Sequence, residues 1–127
     1  MAARPFCFAC VTSLLVLVPV LLLCSSLGKA QTTEYCTNVF EEFSSCLGFL
    51  GELSPEPTAA CCDSLTSLNS LAQQEDSGPR MICECIESSS YWTRIPFSAS
   101  RIQELPTSCQ LHLSFPISNS MDCSKLN

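Results

Sequence analysis

Two cysteines side by side, Cys61-Cys62, and two that flank a single residue, Cys83-Glu84-Cys85, stand between the singles Cys36, Cys46, Cys109 and Cys123. The intervals read C-x9-C-x14-CC-x20-CxC-x23-C-x13-C. An even set of cysteines in a short secreted chain makes a disulfide framework, so four bridges are expected. On a helix the side chains of Cys83 and Cys85 point about 200° apart, and those of Cys61 and Cys62 about 100° apart. Neither close pair can serve one neighbour, so each ties its helix to two other elements and makes the third helix a hub. Spacing alone leaves about a hundred pairings open. Zinc is disfavoured, because the pattern lacks the doubled C-x2-C geometry of structural zinc sites. No metal or cofactor is expected.

The remaining cysteines, Cys7, Cys10 and Cys24, lie in an N-terminal stretch with the layout of a secretory leader. Arg4 supplies a positive start, Val11 to Leu23 is almost wholly apolar, and Gly28-Lys29-Ala30 offers small residues where a signal peptidase reads. About 13 apolar residues, interrupted by Pro19, fall short of the roughly 20 that span a bilayer. The expectation is a signal peptide over residues 1–30, cleaved after Ala30, and one domain over residues 31–127. Four basic residues, Arg80, Arg94, Arg101 and Lys125, then face twelve carboxylates, a formal charge of −8. Such a surface repels nucleic acid phosphates and anionic lipid head groups. With only Ser124 to Asn127 after Cys123, a lipid-anchored C-terminus is not expected.

Apolar periodicity divides the domain into helices. Cys36, Val39, Phe40, Phe43, Cys46, Leu47 and Leu50 share one face of a helix over Tyr35 to Leu50, which Gly51 and Ser54-Pro55-Glu56-Pro57 end. Thr58 to Gln73 carries Cys61, Leu65, Leu68 and Leu71 or Ala72 at helical spacing, and Asp76-Ser77-Gly78-Pro79 breaks it. A third helix bears Met81, Ile82, Cys85 and Ile86 and is expected to close at Ser88-Ser89-Ser90. A shorter fourth runs from a Ser98 cap to Leu105, with Ile102 and Leu105 inward and Pro106 as the stop. Leu111, Leu113, Phe115 and Ile117 then alternate with polar residues and Pro116. Proline discourages a central strand and there is no sheet to join, so this is read as an extended tail with one apolar side on the helices.

Catalysis needs a nucleophile, a base and an orienting group that converge, and none is visible. There is no G-x-S-x-G, the cysteines are committed to bridges, and the single histidine, His112, reads as a surface residue. The chain is therefore not expected to be an enzyme. Tyr91-Trp92 is read as packing rather than as an exposed aromatic contact. Arg80 reads equally as a solvated loop charge or as a partner for a head group. The apolar stripes could fill a core or line a ligand tunnel, and periodicity does not separate the two.

The order C, C, CC, CxC, C, C is that of the plant eight-cysteine superfamily, and these gap lengths resemble the type 1 non-specific lipid-transfer proteins. Shorter words agree: Cys46-Leu47-Gly48-Phe49-Leu50 resembles C-x-G-[YF]-[VL], Leu68-Asn69 with Leu71-Ala72 is similar to LN-x-LA, and Leu105-Pro106 precedes Cys109 as in L-P-x-x-C. The resemblance implies an all-α fold, a four-helix, disulfide-stapled orthogonal bundle with an extended C-terminal tail around an internal apolar tunnel. It also implies the pairs Cys36–Cys85, Cys46–Cys61, Cys62–Cys109 and Cys83–Cys123. The chain departs from the family at two words. Thr-x-x-Asp-Arg is replaced by Gln74 to Arg80, which leaves Arg80 as the head-group candidate, and Pro-Tyr-x-Ile-Ser becomes Ser114-Phe115-Pro116-Ile117-Ser118, without the phenolic hydroxyl. Its acidity also departs from the commonly basic family.

What the resemblance implies for function is a secreted, extracellular, monomeric carrier in the cell wall or apoplast. It would hold single acyl-chain lipids, whether fatty acids, lysolipids or phospholipids, and meet membranes transiently. The tunnel candidates are Leu47, Leu50, Leu68, Leu71, Ile86, Ile102, Leu113, Phe115 and Ile117. The alternative is a protease or amylase inhibitor of the same superfamily, for which Tyr91 to Pro96 is the candidate exposed loop.

Overall fold

The computed structural model describes residues 15–21 and 32–126. The chain divides into two units, Met1–Tyr35 and Cys36–Asn127. In the first, residues 15–21 form a short exposed helical stretch. Among the described residues no helix is long and apolar enough to cross a membrane. The cleavage point after Ala30, and Cys7, Cys10 and Cys24, lie outside the described residues.

The second unit is built from helices joined by disulfides, with no strand among the described residues. Helix α1 covers residues 32–43; a 3₁₀ turn at Ser44–Cys46 joins it to α2, Leu47–Leu50. The continuous helix expected over Tyr35 to Leu50 is thus interrupted. Ser44 and Ser45 donate their hydroxyls back to the Glu41 and Glu42 carbonyls at 2.7 and 3.2 Å, and serines bonded in this way compete with regular helix. A 3₁₀ turn advances about 120° per residue against about 100° in an α-helix, so three residues rotate the apolar face by about 60°. This rotation brings Phe49, which the helical periodicity left out, into the core beside Leu50, while Leu47 is half-buried and Phe40 is exposed.

Helix α3, Ala59–Ala72, begins where the Thr58 hydroxyl accepts the Cys61 amide at 3.1 Å, an N-cap that satisfies an otherwise orphaned donor. It buries Cys61, Leu65, Leu68 and Ala72. Helix α4, Gly78–Thr93, starts against the end of α3: a Cβ on Gly78 would overlap the Ala72 carbonyl, so the close approach requires glycine. The Ser88-Ser89-Ser90 run does not close α4, contrary to expectation. Ser88 and Ser89 donate to the Glu84 and Ile86 carbonyls, and Thr93 donates to the Ser89 carbonyl at 2.7 Å, so the hydroxyls are absorbed by the helix. The helix ends where Arg94 adopts a left-handed conformation (φ 56°), the usual backbone device for a C-terminus.

Helix α5, Ala99–Ser108, also outruns its expected stop. Pro106 lies inside it, and the chain turns only after Cys109, whose amide bonds to the Leu105 carbonyl at 3.1 Å. A proline so near a C-terminus costs one hydrogen bond and the remaining carbonyls are capped by the turn. Ser98 occupies the N-cap position without a side-chain cap; its hydroxyl lies 3.1 Å from that of Ser100. Residues 110–122 follow as an extended tail, ending in a 3₁₀ turn at Cys123–Lys125.

Four disulfides join these parts: Cys36–Cys85 links α1 to α4, Cys46–Cys61 the 3₁₀ turn to α3, Cys62–Cys109 α3 to the end of α5, and Cys83–Cys123 α4 to the tail. Helix α4 is held from two directions and so is α3, as the divergent directions of each close pair require. The core between them contains Val39, Phe43, Phe49, Leu50, Leu65, Leu68, Ile82, Ile86, Phe97 and Leu105, with Phe43 and Phe97 edge to face at 5.8 Å. Cys62 and Cys109 are themselves half-buried, so their bond is the one whose loss removes least packing. It spans 47 residues, and the loop-closure account assigns such a bond about 4 kcal/mol. The Cys62→Ser, Cys109→Ser double variant should unfold in denaturant with about that much less free energy.

Candidate functional site

The predicted tunnel residues come from α2, α3, α4, α5 and the tail. Leu50, Leu68 and Ile86 are each no more than 1% exposed, and Phe115 and Ile117 are buried with them. Leu47, Leu71, Ile102 and Leu113 are half-buried. The interior of this unit is apolar: besides cysteines, alanine and hydrocarbon side chains, the polar residues buried in it are Ser89 and Ser90. An environment of this kind disfavours a charged group. Arg80, on the first turn of α4, is exposed.

The tail covers the helices and is held at two points by asparagine side chains. Asn69, on α3, donates to the His112 carbonyl at 3.1 Å, and its Oδ1 accepts the Ser114 amide at 2.7 Å and the Ser114 hydroxyl at 2.8 Å. Asn119, in the tail, accepts the Phe97 amide at 2.8 Å and the Ser90 hydroxyl at 2.9 Å, and donates to the Phe97 carbonyl at 2.8 Å. A primary amide carries a donor and an acceptor, so each asparagine acts as a stretch of strand would, satisfying extended backbone that has no sheet. Between the two clasps lie Phe115 and Ile117, facing inward. Sequence reasoning missed both roles. The visible clue is an asparagine beside an apolar stripe at Leu68-Asn69 and another within Ser118-Asn119-Ser120.

Arg101 performs a comparable task for the segment between α2 and α3. Its Nη1 donates to the Pro55 carbonyl at 2.8 Å and the guanidinium lies 4.6 Å from the centroid of the Phe49 ring. Ser98 also donates its amide to the Leu50 carbonyl, so α5 closes over α2.

Among the described residues, surface pockets lie elsewhere. One of about 330 Å³ is lined by Asn38, Glu41, Glu42, Ser45 and Ser64; another of about 600 Å³ is lined by Ser90, Tyr91, Trp92, Arg94, Pro96 and Asn119. Neither is lined by the nine tunnel candidates. Tyr91 and Trp92 are each 78% exposed, which overturns the packing expected of them. They sit on the outer side of the last turn of α4, while Ile82, Ile86 and Ser89 occupy the inner side. The same turn absorbs half of the loop considered for an inhibitor: only Arg94, Ile95, Pro96 and Phe97 lie outside helix before Ser98.

Glu87 lies on α4 beside the Cys83–Cys123 bond, its donor atoms and the two sulfurs all within 4.8 Å. Both sulfurs are spent in that bond, so the trio offers a metal a single carboxylate. Glu87 Oε1 is buried without a hydrogen-bond partner. Its pKa is raised, chiefly because burial disfavours the charge, with Asp122 and Glu84 adding repulsion against the help of the Met121 backbone. A carboxyl whose folded pKa is raised lends stability at low pH and loses it as pH rises through the folded value. The Glu87→Gln variant should therefore melt above the parent at neutral pH, and the two melting curves should converge in acid.

Residues 36–123 match the protease inhibitor/seed storage/LTP family. Over 90 residues the chain is 41% identical to non-specific lipid-transfer protein 13 of Arabidopsis thaliana, covering 71% of each chain. It is 38% identical over 101 residues to the protein Arabidopsis thaliana anther 7, covering 72% of each. The fold is similar to that of barley non-specific lipid transfer protein 1 solved in complex with a lysophosphatidylcholine: TM-score 0.61 at 22% identity, over 72% of this chain and 98% of that one. It is also similar to the wheat non-specific transfer protein complexed with two phospholipid molecules, with a TM-score of 0.59 at 24% identity, over 71% of this chain and 97% of that one.

Proposed function

Because the chain belongs to the protease inhibitor/seed storage/LTP family, we propose that it binds acyl-chain lipids between its helices and transfers them outside the cell. The observation that carries this reading is the apolar interior enclosed by four bridged helices and a clasped tail, in which, among the described residues, Ser89 and Ser90 are the buried polar side chains. Lipid-transfer relatives and folds solved with lysophosphatidylcholine and phospholipid support it. On this reading an alkyl chain enters past the half-buried Leu47, Leu71, Ile102 and Leu113 and lies along the buried Leu50, Leu68, Ile86, Phe115 and Ile117. Burial is non-directional, so selection among fatty acids, lysolipids and phospholipids is loose. The head group stays at the surface, where Arg80 is available to its phosphate or carboxylate. Phe115 brings a ring without a hydroxyl, so the tail contributes apolar surface there and no hydrogen bond.

The reading is of a carrier rather than a catalyst. The sole histidine, His112, is exposed, and the eight domain cysteines are oxidised in pairs. Four disulfides favour an oxidising, extracellular destination, and residues 1–30 supply the leader for it. The secreted protein should begin at Gln31 by intact mass, with eight sulfurs oxidised.

A fluorescent fatty acid should bind and be displaced by competing fatty acids and lysophospholipids. Each methylene added to the competitor strengthens binding by about 0.8 kcal/mol, about fourfold, until the hollow is filled. Inhibition of a digestive protease or amylase without any displacement would contradict the reading.

A further inference from the structure

A carrier must meet a bilayer to load and unload, and on that reading of the site we propose that the corner formed by Tyr91, Trp92, Arg94 and Pro96 seats this protein on a zwitterionic membrane surface. Both rings are 78% exposed, packed edge to face on each other at 5.8 Å and 81°, and both project from one helical turn. Large aromatic groups left this bare on a small soluble domain mark an interaction surface. Tyrosine and tryptophan are the side chains whose amphipathic rings settle at the head-group level of a bilayer.

The polar atoms of the adjoining pocket of about 600 Å³ argue for the same occupant. Ser90 lies against the Ile95 carbonyl and Asn119 Oδ1, and Asn119 is bonded to both the amide and the carbonyl of Phe97. These groups are consumed in holding the corner together. What the surface still offers is two ring faces, the Pro96 ring and the Arg94 guanidinium, which among the described residues is in no ion pair. Hydrocarbon below and phosphate above is the chemistry that satisfies all of them. The corner is also rigid: Thr93 bonds to the Ser89 carbonyl, and the Ile95 amide reaches the Thr93 hydroxyl. The rings are thus presented with little backbone entropy left to lose.

Charge selects the kind of membrane. A domain carrying −8 over residues 31–127 is repelled by an anionic surface, and one arginine does not reverse that. Docking through aromatic rings onto a zwitterionic surface does not depend on net attraction.

Trp92 is the only tryptophan, so its emission reports on this corner alone. Titrating the purified protein with phosphatidylcholine vesicles should shift its emission to the blue and shield it from iodide, and the protein should float with the vesicles. The Tyr91→Ser, Trp92→Ser double variant changes exposed side chains only. It should float at least about tenfold less well while binding a fluorescent fatty acid in solution as the parent does. Flotation equal in parent and variant, an emission unmoved by vesicles, or a blue shift produced instead by soluble oligosaccharide would overturn the proposal. Loss of fatty-acid binding in both proteins would count against the carrier reading, and the flotation comparison would still decide whether this corner docks.

Discussion

Four covalent bonds between helices are the constraint on which the rest of this domain depends. Helices that pack by burial alone collapse until their side chains interdigitate, and a hollow between them is unfavourable. A disulfide restricts the separation of two elements whatever fills the space between. Here α4 is bonded to α1 through Cys85 and to the tail through Cys83, and α3 to the 3₁₀ turn through Cys61 and to α5 through Cys62. With the frame fixed covalently, the interior can be chosen for its ligand as well as for packing. Besides the bridged cysteines and Ala72, its buried side chains are leucine, isoleucine, phenylalanine and valine, with serine as the polar exception among the described residues.

The tail is the second consequence of that frame. A segment with Pro116 in its middle cannot join a sheet, and its backbone groups need partners from elsewhere. Asn69 supplies them at His112 and Ser114, the tail's own Asn119 reaches back to the Phe97 backbone beyond Phe115 and Ile117, and Cys83–Cys123 holds the far end. Glu87, raised in pKa beside that terminal bond, lends less stability at neutral pH than in acid.

Much of this was legible in the sequence because cysteine spacing and 3.6-residue periodicity report on covalent and apolar constraints directly. The helical character of residues 59–72, the helix carrying Met81, Ile82, Cys85 and Ile86, and the extended tail follow from them. The element ends were less legible, and for a local reason in each case. Ser88 to Ser90 look like a stop, yet the Ser88 and Ser89 hydroxyls find carbonyls within the helix and that of Ser90 bonds across to Asn119; Pro106 looks like a stop, yet it sits where a missing amide costs little. Phe49 was hidden because a 3₁₀ turn upstream rotated the apolar face, and periodicity assumes a constant pitch. The asparagine clasps and the Arg101 bond to Pro55 join residues 22 to 46 positions apart, and no pattern along the chain encodes them. The exposure of Tyr91 and Trp92 runs against the usual burial of aromatic side chains, and adjacent aromatic letters in the sequence carry no sign of which side of the helix they take.

The account therefore rests on an alkyl chain lying inside the bridged frame. A crystal structure of the protein grown with lysophosphatidylcholine tests this most directly. The account predicts continuous density for the acyl chain between α2, α3, α4 and the tail, in contact with Leu50, Leu68, Ile86 and Phe115, with the phosphate at the surface. An interior filled by those same side chains, with the lipid absent or bound only on the outside, would contradict it.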